Sequence, residues 1–126
     1  MAMTSSVQAP LPGRRVLVVE DEMMIALLLE DMLADLGHTV IAVAPRLDIA
    51  LQYARDSDAD LAILDVNLGG EPSFPVAHLL TERRLPFMFA TGYGSPGLVA
   101  PFKDAVTLKK PFEMEDLSQA LERLCT

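Results

Sequence analysis

Short apolar runs alternate with segments of helical periodicity from Arg15 to the end of the chain. Five runs have the continuous, often β-branched character of strands that are covered on both faces. They are VLVV at 16–19, TVIAVA at 39–44, LAIL at 61–64, PFMFAT at 86–91 and AVTLK at 105–109. The first helix is predicted over 22–36, with one apolar stripe formed by Ile25, Leu28, Leu29, Met32, Leu33 and Leu36.

Alternation of strands and helices with short connections predicts an α/β fold, in which a parallel sheet lies between two layers of helices. Apolar spacing indicates further helices at 47–54, 76–80 and 114–124. Gly37 follows the first helix at the place of a left-handed C-cap. The methionines, Met23 and Met24 among them, are interpreted mostly as core residues.

The connection between the fourth and fifth strands departs from this regularity. It comprises 12 residues, 92–103, which include three glycines and two prolines. A crossover that contains a full helix needs at least about 10–12 residues. We therefore expect a short or irregular fourth helix.

Other features of the sequence limit the class of protein. Residues 1–13 lack periodicity and are predicted to be a disordered tail, followed by one domain over 14–126. No apolar run approaches the ~18–20 residues of a membrane span, and the N-terminus does not resemble a secretion signal. The single cysteine, Cys125, allows no internal disulfide. These features favour a cytoplasmic protein without a membrane partner.

The charge balance argues against nucleic-acid binding. The chain has 10 Lys and Arg residues against 18 Asp and Glu, which gives a net charge of −8. Proteins that bind nucleic acids neutralise phosphates with a basic surface, and no basic run here exceeds two residues. We expect no nucleic-acid partner.

Polar side chains follow or end four of the predicted strands. Glu20 and Asp21 follow the first, Asp65 follows the third, Thr91 ends the fourth and Lys110 follows the fifth. Because the carboxyl ends of parallel strands meet at one edge of the sheet, where such folds bind ligands, these side chains should share one cleft. Three neighbouring carboxylates repel one another, and a hard divalent cation such as Mg²⁺ relieves that repulsion.

This set of side chains fits phosphoryl transfer to a carboxylate. Asp65 would be the nucleophile, forming an aspartyl phosphate. The cation and the Lys110 ammonium would neutralise charge on the phosphoryl oxygens, and the Thr91 hydroxyl would donate to one of them.

Each residue also has an ordinary structural interpretation. An Asp after a strand often caps the next helix, and a Lys is usually surface charge. The coincidence of all five residues in this order argues against that interpretation. His38 and His78 lack metal-ligand spacing, and Gly69-Gly70 is predicted to be a turn, since no GKS/T follows it.

The segments VLVVEDE, LAILDVNL, FATGYG and LKKPF together resemble the receiver domain of two-component response regulators, and the likeness extends from Arg15 to Leu124. The resemblance implies a flavodoxin-like, three-layer αβα sandwich with strand order 2-1-3-4-5. It implies Mg²⁺ as the cofactor, with Mn²⁺ as an alternative, and a cis peptide bond before Pro111. By position, it implies metal ligation by Glu20, Asp21, Asp65 and the backbone carbonyl of Asn67, with Asp65 as phosphoacceptor, Thr91 as switch hydroxyl and Lys110 as phosphate contact.

One family feature is missing. Receivers usually carry Tyr or Phe three residues before the lysine, where this chain has Thr107. With the run Phe89 to Tyr93, this resembles the FAT GUY subgroup, which is similar to single-domain regulators of alphaproteobacteria. We predict that phosphorylation instead orders the segment 92–103, with Tyr93 as a substitute ring.

The resemblance implies a single-domain response regulator that acts through protein–protein interaction. The phosphoryl donor would be a sensor histidine kinase, of the HWE or a related class, or a histidine phosphotransfer protein. Expected catalysis is limited to Mg-dependent self-phosphorylation and slow autodephosphorylation, so the protein is not classed as an enzyme. It would be a monomer or weak dimer, with partners on the first helix or on the face of the fourth helix, fifth strand and fifth helix.

Two other functions use similar residues. Haloacid-dehalogenase-type phosphatases combine a nucleophilic Asp, a Ser or Thr, a Lys and an acidic pair, but there the nucleophile follows the first strand and the acidic pair comes last. A pseudo-receiver would bind partners without taking phosphate. Such proteins usually lose the acceptor, the acidic pair or the lysine, and this chain keeps Asp65, Glu20, Asp21 and Lys110.

Overall fold

The computed structural model describes residues 13–92, 98 and 100–125. In chain order their helices and strands are β1 (Arg15–Val19), α1 (Met23–Asp35), β2 (Thr39–Ala44), α2 (Leu47–Asp56), β3 (Leu61–Asp65), β4 (Asn67–Leu68), β5 (Glu71–Pro72), α3 (Phe74–Glu82), β6 (Phe87–Thr91), β7 (Thr107–Lys109) and α4 (Met114–Cys125).

Five strands form one parallel sheet in the order β2-β1-β3-β6-β7. The two-residue strands β4 and β5 form a separate antiparallel hairpin. When the hairpin is left aside, the main strands have the order 2-1-3-4-5, so the predicted topology is confirmed. All five strands therefore end at the same edge of the sheet.

Alternate residues of each strand supply two separate cores. Leu17, Ala62 and Phe89 pack with α2 and α3, whereas Val16, Ile63 and Met88 pack with α1 and α4. Both faces of the central strands are thus covered. This explains why β1 and β3 are continuously apolar in sequence, since a sheet with one solvated face would show alternating polar residues.

The buried face of α1 differs from the predicted stripe. The buried residues are Ala26, Leu29 and Leu33. Leu28, predicted to be in the core, is 45% exposed, and Met23 and Met24 are 54% and 80% exposed. Apolar residues surround most of the first two turns of this helix, so periodicity could not identify the side that packs on the sheet.

The region between β6 and β7 also differs in part from prediction. β7 begins at Thr107, two residues later than predicted, because Ala105 N–H bonds back to Phe102 O at 3.1 Å in a turn. Residues 100–105 contain turns and bends and no helix. Residues 93–97 and 99 of the predicted fourth-helix segment, which include Tyr93, and residues 1–12 lie outside the described residues.

Four phenylalanine rings and His78 meet between α3 and β6. Phe102 is 6% exposed and contacts all the other rings. Its ring centroid is 4.9 Å from His78, 5.8 Å from both Phe74 and Phe89, and 6.0 Å from Phe87. This aromatic cluster fixes the connection before β7 against the layer formed by α2 and α3.

The junction between α1 and β2 places a histidine in the protein interior. Gly37 has φ +90°, which confirms the predicted left-handed C-cap. The next residue, His38, is 5% exposed, and its Nδ1 accepts a hydrogen bond of 3.1 Å from the backbone N–H of Arg14. Burial, reinforced by the Arg14 charge, lowers the pKa of His38 below its usual value.

We expect His38 to make the protein less stable in mild acid. Unfolding exposes the imidazole and restores its ordinary pKa of about 6.5, so the unfolded state binds a proton that the folded state resists. The stabilisation is present above that pH and is lost as the pH falls towards the lowered folded-state pKa. Urea unfolding at pH 7.5 and 5.5 should show a larger loss for wild type than for His38→Gln. His78→Gln, at the exposed histidine, is the matched control, and equal losses in wild type and His38→Gln would contradict the assignment.

Candidate functional site

The five polar residues predicted to share a cleft lie at the carboxyl edge of the sheet. Glu20 and Asp21 directly follow β1, Asp65 is the last residue of β3, Thr91 is the last residue of β6 and Lys110 directly follows β7. Backbone bonds fix these strand ends: Lys110 N–H donates to Thr91 O at 2.9 Å, and Glu20 N–H donates to Ala44 O at 3.1 Å.

Three carboxylates converge in this cleft. Glu20, Asp21 and Asp65 each contribute an oxygen, and these oxygens lie within 4.8 Å of one another. Neither aspartate caps a helix, because the N-cap residues of α1 and α3 are Glu22 and Ser73. The capping interpretation of the aspartates is therefore wrong.

The Lys110 side chain supplies the positive charge beside these carboxylates. Its Nζ donates to Glu20 Oε1 at 2.9 Å and to Asp65 Oδ2 at 3.3 Å. The Lys110 side chain is only 15% exposed, whereas Lys109 is exposed at the end of β7. The structure thus distinguishes the two adjacent lysines and places the predicted one in the site.

Burial dominates the electrostatics of the innermost carboxylate. Glu20 is 1% exposed, and burial raises its pKa to about 7 although the Lys110 ammonium and the Glu22 N–H favour its ionised form. Burial also works to lower the pKa of Lys110, but hydrogen bonding and charge attraction from Glu20 and Asp65 outweigh it, so that pKa is raised. The ammonium stays charged, and the site holds surplus negative charge.

The β4–β5 hairpin forms one wall of the cleft. Asn67 is exposed, and its backbone N–H donates to Asp65 Oδ1 at 3.3 Å. The predicted Gly69-Gly70 turn is the tip of this hairpin. An open cleft of about 600 Å³ is lined by Asp21, Glu22, Asp65, Asn67, Gly69, Gly70, Gly92 and Lys110.

The donor set fits a hard divalent cation. The converging ligand atoms are all oxygens, as Mg²⁺ and Mn²⁺ prefer, and the cleft has room for the waters that Mg²⁺ retains. A cation between the carboxylates would compensate the surplus negative charge that Lys110 alone leaves.

Two features near the site were not found from the sequence. The hairpin consists of two-residue strands, which are too short for any periodic signal, although the two glycines marked its turn. Met23, Met24 and Leu28 of α1 were assigned to the core and are exposed, although the first helix itself was predicted as a partner surface. The cis Lys110–Pro111 bond is present as predicted.

The strand order and the acidic cluster at the carboxyl edge of the sheet are typical of the receiver domains of signalling proteins, and comparison with known proteins agrees. The family model of the response regulator receiver domain matches residues 16–122. The chain therefore belongs to the receiver domain family of two-component systems. Receiver domains generally bind Mg²⁺, consistent with the acidic cluster.

Solved structures and curated relatives agree with this assignment. The solution structure of SdrG from Sphingomonas melonis is 43% identical with a TM-score of 0.80, and the match covers 89% of this chain and 96% of SdrG. The transcriptional regulatory protein PdtaR of Mycobacterium tuberculosis is 32% identical over 123 residues, covering 94% of this chain and 60% of PdtaR. The regulator PhyR of Methylorubrum extorquens is 31% identical over 112 residues, covering 86% of this chain and 42% of PhyR. The chain thus spans about half the length of these two relatives, whereas the match to SdrG covers most of both chains.

Within the described part of the chain, no helix is long and apolar enough to cross a membrane.

Proposed function

We propose that this receiver domain takes a phosphoryl group on Asp65 from a histidine kinase or a histidine phosphotransfer protein, and signals through protein–protein contacts. The observation that carries the proposal is the position of Asp65. Its carboxylate lies within 4.8 Å of two further carboxylates and 3.3 Å from the Lys110 ammonium. A nucleophile, a cation site and a charge-neutralising group thus occupy one open cleft.

The transfer is an in-line displacement at phosphorus. An oxygen of Asp65 attacks the phosphorus, the bond from phosphorus to the donor's imidazole nitrogen breaks, and that nitrogen keeps the electron pair. The product is an acyl phosphate, and Asp65 gives up no proton, since it attacks as a carboxylate. Lys110 Nζ already donates to Asp65 Oδ2, so it is close enough to donate to an oxygen of the phosphoryl group as negative charge develops there.

The remaining residues have roles that their positions support. Glu20, Asp21, Asp65 and the Asn67 carbonyl would hold Mg²⁺, which supplies charge neutralisation at the phosphoryl oxygens. Thr91 is 3% exposed at the end of β6, and its hydroxyl would donate to the phosphoryl group.

The exposed face of α1 is the surface that we assign to the phosphodonor. Met23, Met24, Leu27 and Leu28 are 45–80% exposed on the first turns of a helix that begins two residues after Asp21. Exposed apolar patches of this kind mark interaction sites, and methionine adapts to different partner surfaces. A donor docked here would lie beside the cleft, since Leu28 and Lys110 line one pocket.

The test is the intact mass of the protein after incubation with acetyl phosphate. We expect wild type to gain one phosphoryl group in the presence of Mg²⁺ and none after chelation. Mn²⁺ should substitute for Mg²⁺, because the ligands are oxygens.

Asp65→Asn is the matched control, since the amide keeps the shape of the side chain and removes the nucleophile. Phosphorylation of Asp65→Asn to the wild-type extent would place the acceptor elsewhere. A wild-type protein that binds Mg²⁺ yet takes no phosphoryl group under rapid quenching would indicate a pseudo-receiver.

A further inference from the structure

The β4–β5 hairpin bonds to one of the three carboxylates in the cleft and lies close to a second. The N–H of Asn67 donates to Asp65 Oδ1 at 3.3 Å. At the tip of the hairpin, Gly69 lies close to Asp21: both line the cleft, and a Cβ placed on Gly69 would be 3.8 Å from Asp21 Oδ2. Within the described residues, the Glu20 carboxylate instead accepts hydrogen bonds from Lys110 Nζ and from the Glu22 N–H. The hairpin is therefore placed to position Asp21 and Asp65.

The hairpin turn requires positive φ angles at two consecutive residues, which L-amino acids rarely adopt. Gly69 and Gly70 have φ +59° and +97°, the pattern of a two-residue turn with both central residues in the left-handed region. Glycine permits this turn but does not enforce it, because glycine loses more backbone freedom on folding than any other residue. The Leu68–Glu71 pair of the hairpin closes the turn, and a side-chain contact can hold its tip further.

The Asn67 side chain supplies that contact. Its Oδ1 accepts a hydrogen bond of 2.7 Å from the backbone N–H of Gly70. The base of the hairpin is fixed independently, since Leu68 is 4% exposed in the core and Ser73 N–H donates to Val66 O at 2.8 Å. Its tip is consequently the part that depends on Asn67.

We propose that Asn67 is a positioning residue, whose side-chain amide locks the Gly69–Gly70 turn against the acidic cleft and thereby sets the affinity of the cation site. The inference rests on the proposed function and adds a role for the Asn67 side chain to the role proposed for its backbone carbonyl. The Asn67 side-chain oxygen accepts the hydrogen bond from Gly70 N–H, so we assign it no contact with the phosphoryl group. Its effect on the cation passes through Asp21 and Asp65.

The test compares Asn67→Ala, which removes the side-chain acceptor, with Asn67→Asp, which retains an acceptor oxygen at the same position. Both leave the backbone carbonyl in place. In Asn67→Ala we expect faster amide exchange at Gly70 without added Mg²⁺, and Mg²⁺ affinity weakened roughly 3- to 10-fold, the equivalent of one net hydrogen bond. In Asn67→Asp, exchange at Gly70 should stay close to wild type and Mg²⁺ affinity should equal or exceed it. Urea unfolding confirms that each variant is folded.

Two results would overturn the inference. Unchanged exchange at Gly70 in Asn67→Ala would mean that the side chain does not hold the turn. Faster exchange with unchanged Mg²⁺ affinity would mean that the turn does not position the carboxylates. Failure of wild type to bind Mg²⁺ is a different result, because it contradicts the proposed function while the exchange comparison still reports on the turn.

Discussion

Replacement of Lys110 by Gln is expected to slow phosphoryl uptake from acetyl phosphate by about 100- to 1,000-fold, the usual cost of removing one preorganised group that stabilises transition-state charge. The Lys110 ammonium is 3.3 Å from Asp65 Oδ2 and 15% exposed, so water cannot readily replace it. Gln retains a hydrogen-bond donor and most of the side-chain length, but not the charge. Uptake should be measured as the rate of mass gain at saturating Mg²⁺.

Lys109→Gln is the matched control for this variant. The two lysines are adjacent and identical in chemistry, but Lys109 is exposed and only Lys110 bonds to the carboxylates. We expect Lys109→Gln to react within about twofold of wild type, as for a surface substitution outside the site. Similar losses in the two variants would show that general surface charge, and not the position of Lys110, controls the reaction.

A second measurement on Lys110→Gln separates catalysis from cation binding. Removing a positive charge from the cleft should leave Mg²⁺ affinity unchanged or increased, because Lys110 repels a cation held by Glu20 and Asp65. A slow reaction with intact Mg²⁺ binding assigns Lys110 to charge stabilisation during transfer. A slow reaction with lost Mg²⁺ binding would instead mean that Lys110 maintains the arrangement of the carboxylates.

The shared location of the candidate site residues could be predicted because strand ends carry two signals at once. An apolar run ends at a defined residue, and the parallel topology brings all such ends to one edge. Asp65 and Lys110 are 45 residues apart in sequence, yet their position relative to the strands was sufficient to bring them together. The choice of Lys110 over Lys109 came from the family resemblance, and the structure supports it through the ion pairs with Glu20 and Asp65.

The features that prediction missed lack such a signal. The hairpin is held by single contacts, such as Asn67 Oδ1 with Gly70 N–H, which leave no periodic trace in the sequence. In α1 the apolar residues exceed what one buried face requires, so Met24 and Leu28 looked like core residues. Their exposure is evident only after the helix is packed on the sheet, and this excess of apolar residues is the basis of the docking surface that we propose.

Truncation of Phe102 to Ala is expected to cause the largest loss of stability, about 3–5 kcal/mol in the free energy of unfolding. Phe102 is 6% exposed and is the one residue that contacts every other ring in the aromatic cluster. Its nearly parallel partner, Phe74, lies 5.8 Å away with an angle of 11° between the rings, and three more rings meet it edge-on. Such aromatic pairs contribute about 0.5–1.5 kcal/mol beyond the area that they bury.

Phe102→Leu separates the volume of the ring from its aromatic contacts. Leucine fills much of the same space without a ring, so we expect a smaller loss, about 1–2 kcal/mol, from imperfect packing and from the missing ring contacts. Urea unfolding of the three proteins at one pH gives both values. A loss below about 1 kcal/mol for Phe102→Ala would contradict the described packing. Equal losses for the Ala and Leu variants would assign the whole effect to the ring contacts, because only the Ala variant creates a cavity.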